Sequence, residues 1–387
     1  MFVLEEVEQS GAKIKVIGVG GCGCNAVNNM IDSNIRGVEF LACNTDSQTL
    51  KKSLTANRVQ IGSKLLKGMG AGGNPETGKS AASESEDEIR EALKGADMVF
   101  IATGLGGGTG TGASPIVARI AREMGALTVA VATKPFEFEG PRKMKLALTG
   151  EKDLSDNVDA IITIPNNRLL GLDAKGVPIM EAFRKSDEIL TNAVKGISDL
   201  INTTGIVNVD FNDVKSIMCE KGKALMGIGS ASGEERAAEA ARLAISSPLL
   251  EDVDISGAKG ILLNITGDAT VTIKEINEAS KIIQSYAHED ANIIWGFVVD
   301  EDLADEFNLM VIATGYANKT AIRIKEERDA DNVRVLQPRV VDYNTPTYIR
   351  NKEKKEKEVI KMGMVVDDTM VDMEAYNIPT FLRKKAD

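Results

Sequence analysis

The residues best suited to chemistry lie in Gly104-Leu105-Gly106-Gly107-Gly108-Thr109-Gly110-Thr111-Gly112, where six of nine positions are glycine. A plain turn between a strand and a helix needs one or two. Glycines adopt backbone angles that other residues resist, and with no Cβ they let a ligand approach the backbone. Free N–H groups at a helix start, together with the helix dipole, favour negative charge. Thr109 and Thr111 add hydroxyls. The pattern points to a phosphate cradle.

Other stretches invite similar readings. Gly18, Gly20 and Gly23 have the G-x-G-x-x-G spacing of dinucleotide folds. Gly73 to Ser80 fits the P-loop pattern G-x-x-x-x-G-K-[ST], but its context is wrong. No buried strand leads into it, Pro75 removes an amide, and Glu76 sets a carboxylate where phosphate would lie. This stretch reads instead as a loop closing over a nucleotide, with Lys79 and Ser80 opening an acidic helix that ends near Gly95. Asp46 follows Asn44 and Thr45 at a strand end, where it either holds a ribose or a metal-bound water, or caps a turn. Cys22, Cys24, Cys43 and Cys219 lack partners at zinc spacing and read as reduced structural thiols.

The elements that must position these residues alternate strand with helix. Apolar runs at 13–19, 38–43, 97–103, 127–133 and 158–164 predict strands, and a helix with Pro in its first turn is expected from Ser114. The fold class is therefore α/β, a doubly wound and mostly parallel sheet with its ligand loops at one edge. Residues 178–202 predict one long helix with an apolar stripe of Ile179, Phe183, Leu190, Ala193, Val194, Ile197, Leu200 and Ile201. Asp210 or Asn212 would cap a following helix that runs through Lys221. Strands at 261–265, 293–299 and 309–314, with helices at 234–245 and 274–287, predict a second α+β domain.

The expected layout is a flexible arm at 1–12, a nucleotide-binding domain at 13–178, the long helix at 179–202 and an α+β domain at 203–318. A disordered linker follows at 319–373, where a mixed-charge run around Glu353–Lys357 has almost no apolar residues. A docking peptide closes the chain at 374–387, with Ile378, Phe381 and Leu382 ahead of a basic cluster. The 387 residues carry a net charge of −11, which argues against nucleic acid as a partner. No long apolar run or basic leader is seen, so the chain is expected in the cytoplasm, without direct membrane insertion.

Several motifs in one order resemble the tubulin/FtsZ family of GTPases. They are GVGGCGCNAV at 18–27, NTD at 44–46, GAGGNPETG at 70–78, GGGTGTG at 106–112, TKPFEFEG at 133–140, IPNN at 164–167, NVDFNDV at 208–214 and IPTFLRKKAD at 378–387. The resemblance implies a GTPase that polymerises head to tail into filaments of the bacterial division ring, at midcell on the inner face of the membrane. GTP or GDP with Mg²⁺ would be its cofactors, with no protein residue assigned to the metal. Its partners would be further copies of itself and, through Tyr376–Asp387, membrane-tethering division proteins.

The resemblance also implies roles. Gly20, Gly21, Gly23 and Asn25 would hold the α/β-phosphates and sugar, with Cys22 and Cys24 in the same loop where the family usually carries small residues. Asp46 joins the nucleotide set. Ala71, Gly72 and Gly73 would reach toward the γ-phosphate, and Gly107, Gly108, Thr109 and Gly110 would wrap the phosphates. Thr133 joins the nucleotide set as well, while Glu139 and either Arg142 or Lys143 would contact the ribose; the family usually has an arginine where Lys143 stands. Asn166 and Asp187 would bond the guanine, with Phe183 packed on it. Asn208, Asp210 and Asp213 would come from the neighbouring subunit and orient and polarise the attacking water. A nicotinamide-dependent oxidoreductase leaves GGGTGTG and NVDFND unexplained, and Asp210 and Asp213 argue against a filament that binds GTP without turnover.

Overall fold

The computed structural model describes residues 11–169, 178–202, 209–219, 222–247, 249–250, 257–301 and 303–315. Asn208, the linker expected at 319–373 and the peptide Tyr376–Asp387 lie outside the described residues.

The chain opens with β1 (Ile14–Val19), α1 (Gly20–Asp32), β2 (Val38–Asn44), α2 (Ser47–Lys51), β3 (Asn57–Gln60) and α3 (Ser63–Leu66). Next come α4 (Pro75–Glu84), α5 (Glu86–Leu93), β4 (Met98–Gly104), α6 (Thr109–Glu123) and β5 (Leu127–Lys134). A 3₁₀ turn at Glu137–Glu139 leads to α7 (Pro141–Ser155), β6 (Ala160–Pro165) and α8 (Asn166–Leu169). The long α9 (Ile179–Asn202) precedes α10 (Phe211–Met218) and β7 (Gly222–Ser232). The remainder comprises α11 (Arg236–Ile245), β8 (Gly260–Gly267), α12 (Ile273–Gln284), β9 (Asn292–Val299) and β10 (Glu306–Thr314).

The strands run β3-β2-β1-β4-β5-β6-β7-β10-β8-β9 in one sheet. Neighbours from β3 to β7 are parallel, β10 is antiparallel to β7 and β8, and β9 is parallel to β8. Central strands are apolar on both faces because both faces are covered. Val16, Phe100, Val129 and Ile162 pack toward α1 and α9, while Ile17, Ile101, Ala130 and Ile161 pack toward α5, α6 and α7. The order reverses between β1 and β4. Open α/β sheets bind ligands in the crevice at such a reversal, beyond the carboxyl ends of the strands. Both glycine-rich stretches lie there.

Several elements differ from the sequence reading, and glycine is the common cause. Helix α6 begins at Thr109 rather than Ser114, so Pro115 lies inside it, and α1 begins at Gly20 within its glycine run. Strand β7 is hidden in the sequence by Gly227 and Gly229. A Cβ at these positions would lie 2.1 Å from the Ala244 carbonyl oxygen and 2.0 Å from that of Ala240, so their bareness lets α11 lie directly on the strand. This strand also makes the expected second domain continuous with the first sheet. The acidic helix starts at Pro75, where Asn74 caps it by accepting from the Glu76 N–H, and it breaks at Ser85. Helix α9 falls where expected, but Ile179 and Phe183 are 60% and 41% exposed, so its first turns leave the apolar stripe. Among the described residues no helix is long and apolar enough to cross a membrane.

Gly112 tests the packing role of glycine. A Cβ there would lie 1.9 Å from the Pro75 carbonyl oxygen and 2.7 Å from the Lys79 nitrogen, where α4 crosses α6. Helix propensity favours Ala over Gly by about 1 kcal/mol, whereas overpacking into backbone costs about 3 kcal/mol, so the clash wins. Gly112→Ala should lower the urea midpoint clearly, while Gly21→Ala, with nothing within 4 Å of its would-be Cβ, should leave it nearly unchanged. A Gly112→Ala protein as stable as the parent would sink this account.

Candidate nucleotide site

A cavity of about 400 Å³ opens at the carboxyl ends of the parallel strands. One side is the connection from β4 into α6, where Gly106, Gly107 and Gly108 line the space with Thr109 and Gly110. Gly106 takes a φ of +98° and donates its N–H to the Thr111 hydroxyl at 2.8 Å, which fixes the bend. The first N–H groups of a helix have no intrahelical acceptor, and in α6 they belong to this lining.

The start of α1 meets α6 at close range. Gly20 has a φ of +77°, and a Cβ on it would stand 2.7 Å from the Gly110 nitrogen. Gly23 lies against the Ala102 carbonyl in the same way, at 2.2 Å. These two glycines therefore work behind the wall, and Gly21, Cys22 and Asn25 present it. Two helix N-termini thus converge on one crevice, each with partial positive charge. Thr45 and Thr109 share a hydroxyl hydrogen bond of 2.7 Å, which ties the strand-end turn after β2 to the first residue of α6.

Some expected ligand residues stand elsewhere. Asp46 caps α2: its carboxylate accepts from the Gln48 N–H at 2.9 Å and the Thr49 hydroxyl at 2.7 Å. Those hydrogen bonds, that of Thr49 foremost, hold its carboxyl below the usual range. Cys24 is buried under α1 with Ala42 and Leu50, its thiol directed to the carbonyls of Gly18 and Cys43. Ala71 packs under Gly108, whose would-be Cβ lies 2.9 Å from the Ala71 Cβ, while Gly72 and Gly73 take left-handed angles on an open loop outside the cavity lining. Arg142 is exposed and outside the lining, whereas Lys143 lines it and pairs with Glu139 at 2.9 Å. Asp210 and Asp213 are exposed at the start of α10, where Asp210 caps the helix by accepting from the Asn212 N–H, and neither lines the cavity.

The opposite wall comes from the end of β5, the 3₁₀ turn, α7, the first residue of α8 and α9. Glu139 accepts from the Phe136 N–H and holds Lys143 with its other oxygen. The fully buried Phe136 ring meets Phe183 edge-on, with centroids 5.3 Å apart. Asn166 is buried and accepts from the Ser186 hydroxyl at 2.9 Å. Asp187 accepts from the Asn29 amide at 3.2 Å, and burial pushes its carboxyl up to about 6. Thr133 stands beside Cys22, with Oγ1 and Sγ 3.7 Å apart. Sequence reasoning missed Ser186 and Asn29, since only the fold brings them beside Asn166 and Asp187.

A family model for the tubulin/FtsZ GTPase domain matches residues 13–173, and one for the FtsZ C-terminal domain matches residues 222–317. The chain belongs to the tubulin/FtsZ family. It is 45% identical over 388 residues to the cell division protein FtsZ of Coxiella burnetii, covering 99% of each chain. It resembles an empty FtsZ dimer from M. jannaschii at 44% identity and a TM-score of 0.77, covering 81% of this chain and 90% of that one. GDP-bound CetZ1 of Haloferax volcanii shares the fold at 21% identity and a TM-score of 0.69, covering 83% of this chain and all of that one. This FtsZ-family chain is accordingly a GTP-hydrolysing, polymer-forming protein of cell division.

The cysteines of this FtsZ-family site are chemically quiet. Burial pushes the Cys22 thiol up to about 12 and that of Cys24 to about 11, and raises Cys43 as well. The thiolate is the nucleophile, so these three react slowly. Iodoacetamide at pH 8 should label exposed Cys219 first in the folded protein, and all four thiols in urea. Mass spectrometry that found Cys22 or Cys24 labelled as fast as Cys219 would contradict this picture.

Proposed function

We propose that GTP is hydrolysed at a site completed only when a second subunit brings the start of its α10 against the cavity. The observation carrying this reading is that Asp210 and Asp213 are exposed on α10 and absent from the lining of their own chain's cavity. Two carboxylates beside a γ-phosphate would repel it in a lone subunit, whereas carboxylates arriving with the next subunit meet the phosphate after it is bound. There they orient the attacking water and draw on its proton as it attacks, directly or through a cation, and GDP and phosphate leave. Asn208 belongs to the same group. A heterologous contact of this kind does not close, so it builds a filament.

In this reading the N–H groups at the starts of α1 and α6 hold the phosphates, the 70–73 loop approaches the γ-phosphate, and Glu139 with Lys143 meets the ribose. Asn166 and Asp187 take the guanine, because a carboxylate accepts from N1–H and the 2-amino group together, and adenine has no such pair of donors. Phe183 packs on the base. Among the described residues no three His, Cys, Asp or Glu side chains gather for an ion, and the two cavity carboxylates already engage Lys143 and Asn29. This donor set suits an Mg²⁺ ion that would be carried on the phosphates with its own waters. Such an ion would supply charge neutralisation to the phosphates.

The layout follows the family: a GTP domain over 13–178, the helix 179–202, an α+β domain over 203–318 bearing the catalytic loop, a linker over 319–373 and a docking peptide over 374–387. We read Tyr376–Asp387 as the contact for membrane-tethering division proteins, which would place the filament at midcell on the inner membrane face.

GTP turnover per molecule, followed against protein concentration at fixed Mg²⁺, should show a threshold and then rise. Asp213→Ala should lower turnover by about 10²-fold, the contribution of a positioned proton acceptor, while GDP binding persists. Constant specific activity from the lowest concentration, or Asp213→Ala turning over at the parent rate, would remove these aspartates from the chemistry.

A further inference from the structure

Asn29 has one use that the described structure records. It sits one helical turn beyond Asn25 on α1, and its Nδ2 donates to Oδ2 of Asp187 on α9 at 3.2 Å. Neighbouring Asn28 is committed elsewhere, accepting from the Leu54 N–H at 2.9 Å and the Ser53 hydroxyl at 3.3 Å. Among the described residues no other hydrogen-bond donor reaches the Asp187 carboxylate. The charged groups facing Asp187 do little to keep it ionised. Glu188 beside it is repulsive, Arg184 is taken by Glu188 at 2.9 Å, and Lys143 across the cavity is taken by Glu139. The neighbouring Cys22 thiol is neutral.

We propose that Asn29 is a specificity-positioning residue, which holds Asp187 as a double acceptor and so makes the pocket choose guanine over adenine. This rests on the reading above that Asp187 meets the base. The chemistry is a matter of protons. An ionised carboxylate offers two acceptors, the complement of guanine N1–H and the 2-amino group. A protonated acid offers one donor and one acceptor, and its O–H suits the bare N1 of adenine instead. Burial drives a carboxyl toward the protonated form, and a hydrogen bond donated to the charged form opposes that. Asn29 supplies this opposing bond and also fixes the carboxylate against rotation.

The sign of the pH effect follows from linkage. Guanine binds the ionised acid, so GDP affinity rises with pH through the Asp187 titration, set by burial at about 6, and levels off above it. Removing the donor moves that titration upward. The test is equilibrium GDP and ADP binding to the full-length chain from pH 5.5 to 8.5, for the parent, Asn29→Leu, Asn29→Ser and Asp187→Asn. Asn29→Leu should shift the midpoint of the GDP affinity rise upward by about one pH unit, with a GDP loss of about eightfold at pH 5.5 and about threefold at pH 6.5 that vanishes toward pH 8.5. Its GDP-to-ADP preference should fall about tenfold at the lower pH. Asn29→Ser, which keeps a shorter donor, should lie between the two and covers the case in which Asn29→Leu fails to fold. A loss equal at every pH with the purine preference unchanged would overturn the inference and leave Asn29 a structural residue. If Asp187→Asn keeps the parent's purine preference, the base-recognition reading itself fails, and Asn29 falls with it. If Asp187→Asn loses that preference while the Asn29 variants keep both midpoint and preference, only the Asn29 inference fails.

Discussion

The site depends on backbone reaching backbone. Gly20 lies on Gly110, Gly110 lies on the Gly104 carbonyl, Gly78 lies on the Gly108 carbonyl and Gly112 lies on the Pro75 carbonyl, each closer than a Cβ would permit. These contacts draw the starts of α1 and α6 into one crevice and seat α4 against α6. Interiors are close-packed, so one added methyl is felt across such a junction. The glycines thus do more than bend a loop. They set how near two helix N-termini come to the same anion, and that proximity sets the local field.

A second constraint ties this edge of the sheet to the rest. Glu151 on α7 is buried between Lys134 at the end of β5 and Lys223 at the start of β7, at 3.3 Å and 2.7 Å, and it accepts from Thr163 on β6. Burial alone would raise its carboxyl, yet the two ammonium groups hold it below the usual range. A depressed carboxyl stabilises the fold above its unfolded pKa, and that contribution is lost as pH falls through the folded value. A buried carboxylate between two cations is costly to break, because removing it leaves uncompensated charge. The junction therefore fixes β7, the strand that carries the chain from α10 into the second half of the sheet, to the strand whose end borders the nucleotide cavity.

The strands were legible because central parallel strands are apolar on both faces, as β4 and β5 are. The place of the cavity was legible because glycine clusters are rare without a reason, and Gly106, Gly107 and Gly108 do line it. What stayed hidden shares one cause: glycine has two uses, conformational freedom and close packing, and sequence does not separate them. So α6 read as starting late, and β7 did not read as a strand at all. Arg142 and Lys143 are adjacent on α7, about 100° apart around the helix, and only the packing of that helix decides which faces the cavity. Asn29 and Asp187 are 158 positions apart, and nothing local marks the pair.

The balance of charge in the cavity bears on why assembly and hydrolysis belong together in the proposed reading. The chain carries −11 overall, and the cavity's Lys143 is already paired with Glu139. In the proposed reading, phosphate would then be held chiefly by oriented N–H groups, which bind a ground-state anion well but donate no proton and accept none. Such a pocket grips GTP without activating water. Activation needs an acceptor near the γ-phosphate, and an acceptor built permanently into the same wall would weaken the grip by repulsion. In that reading, Asp210 and Asp213 on the exposed start of α10 would resolve the conflict: binding and activation would be done by different surfaces, which meet only in the filament.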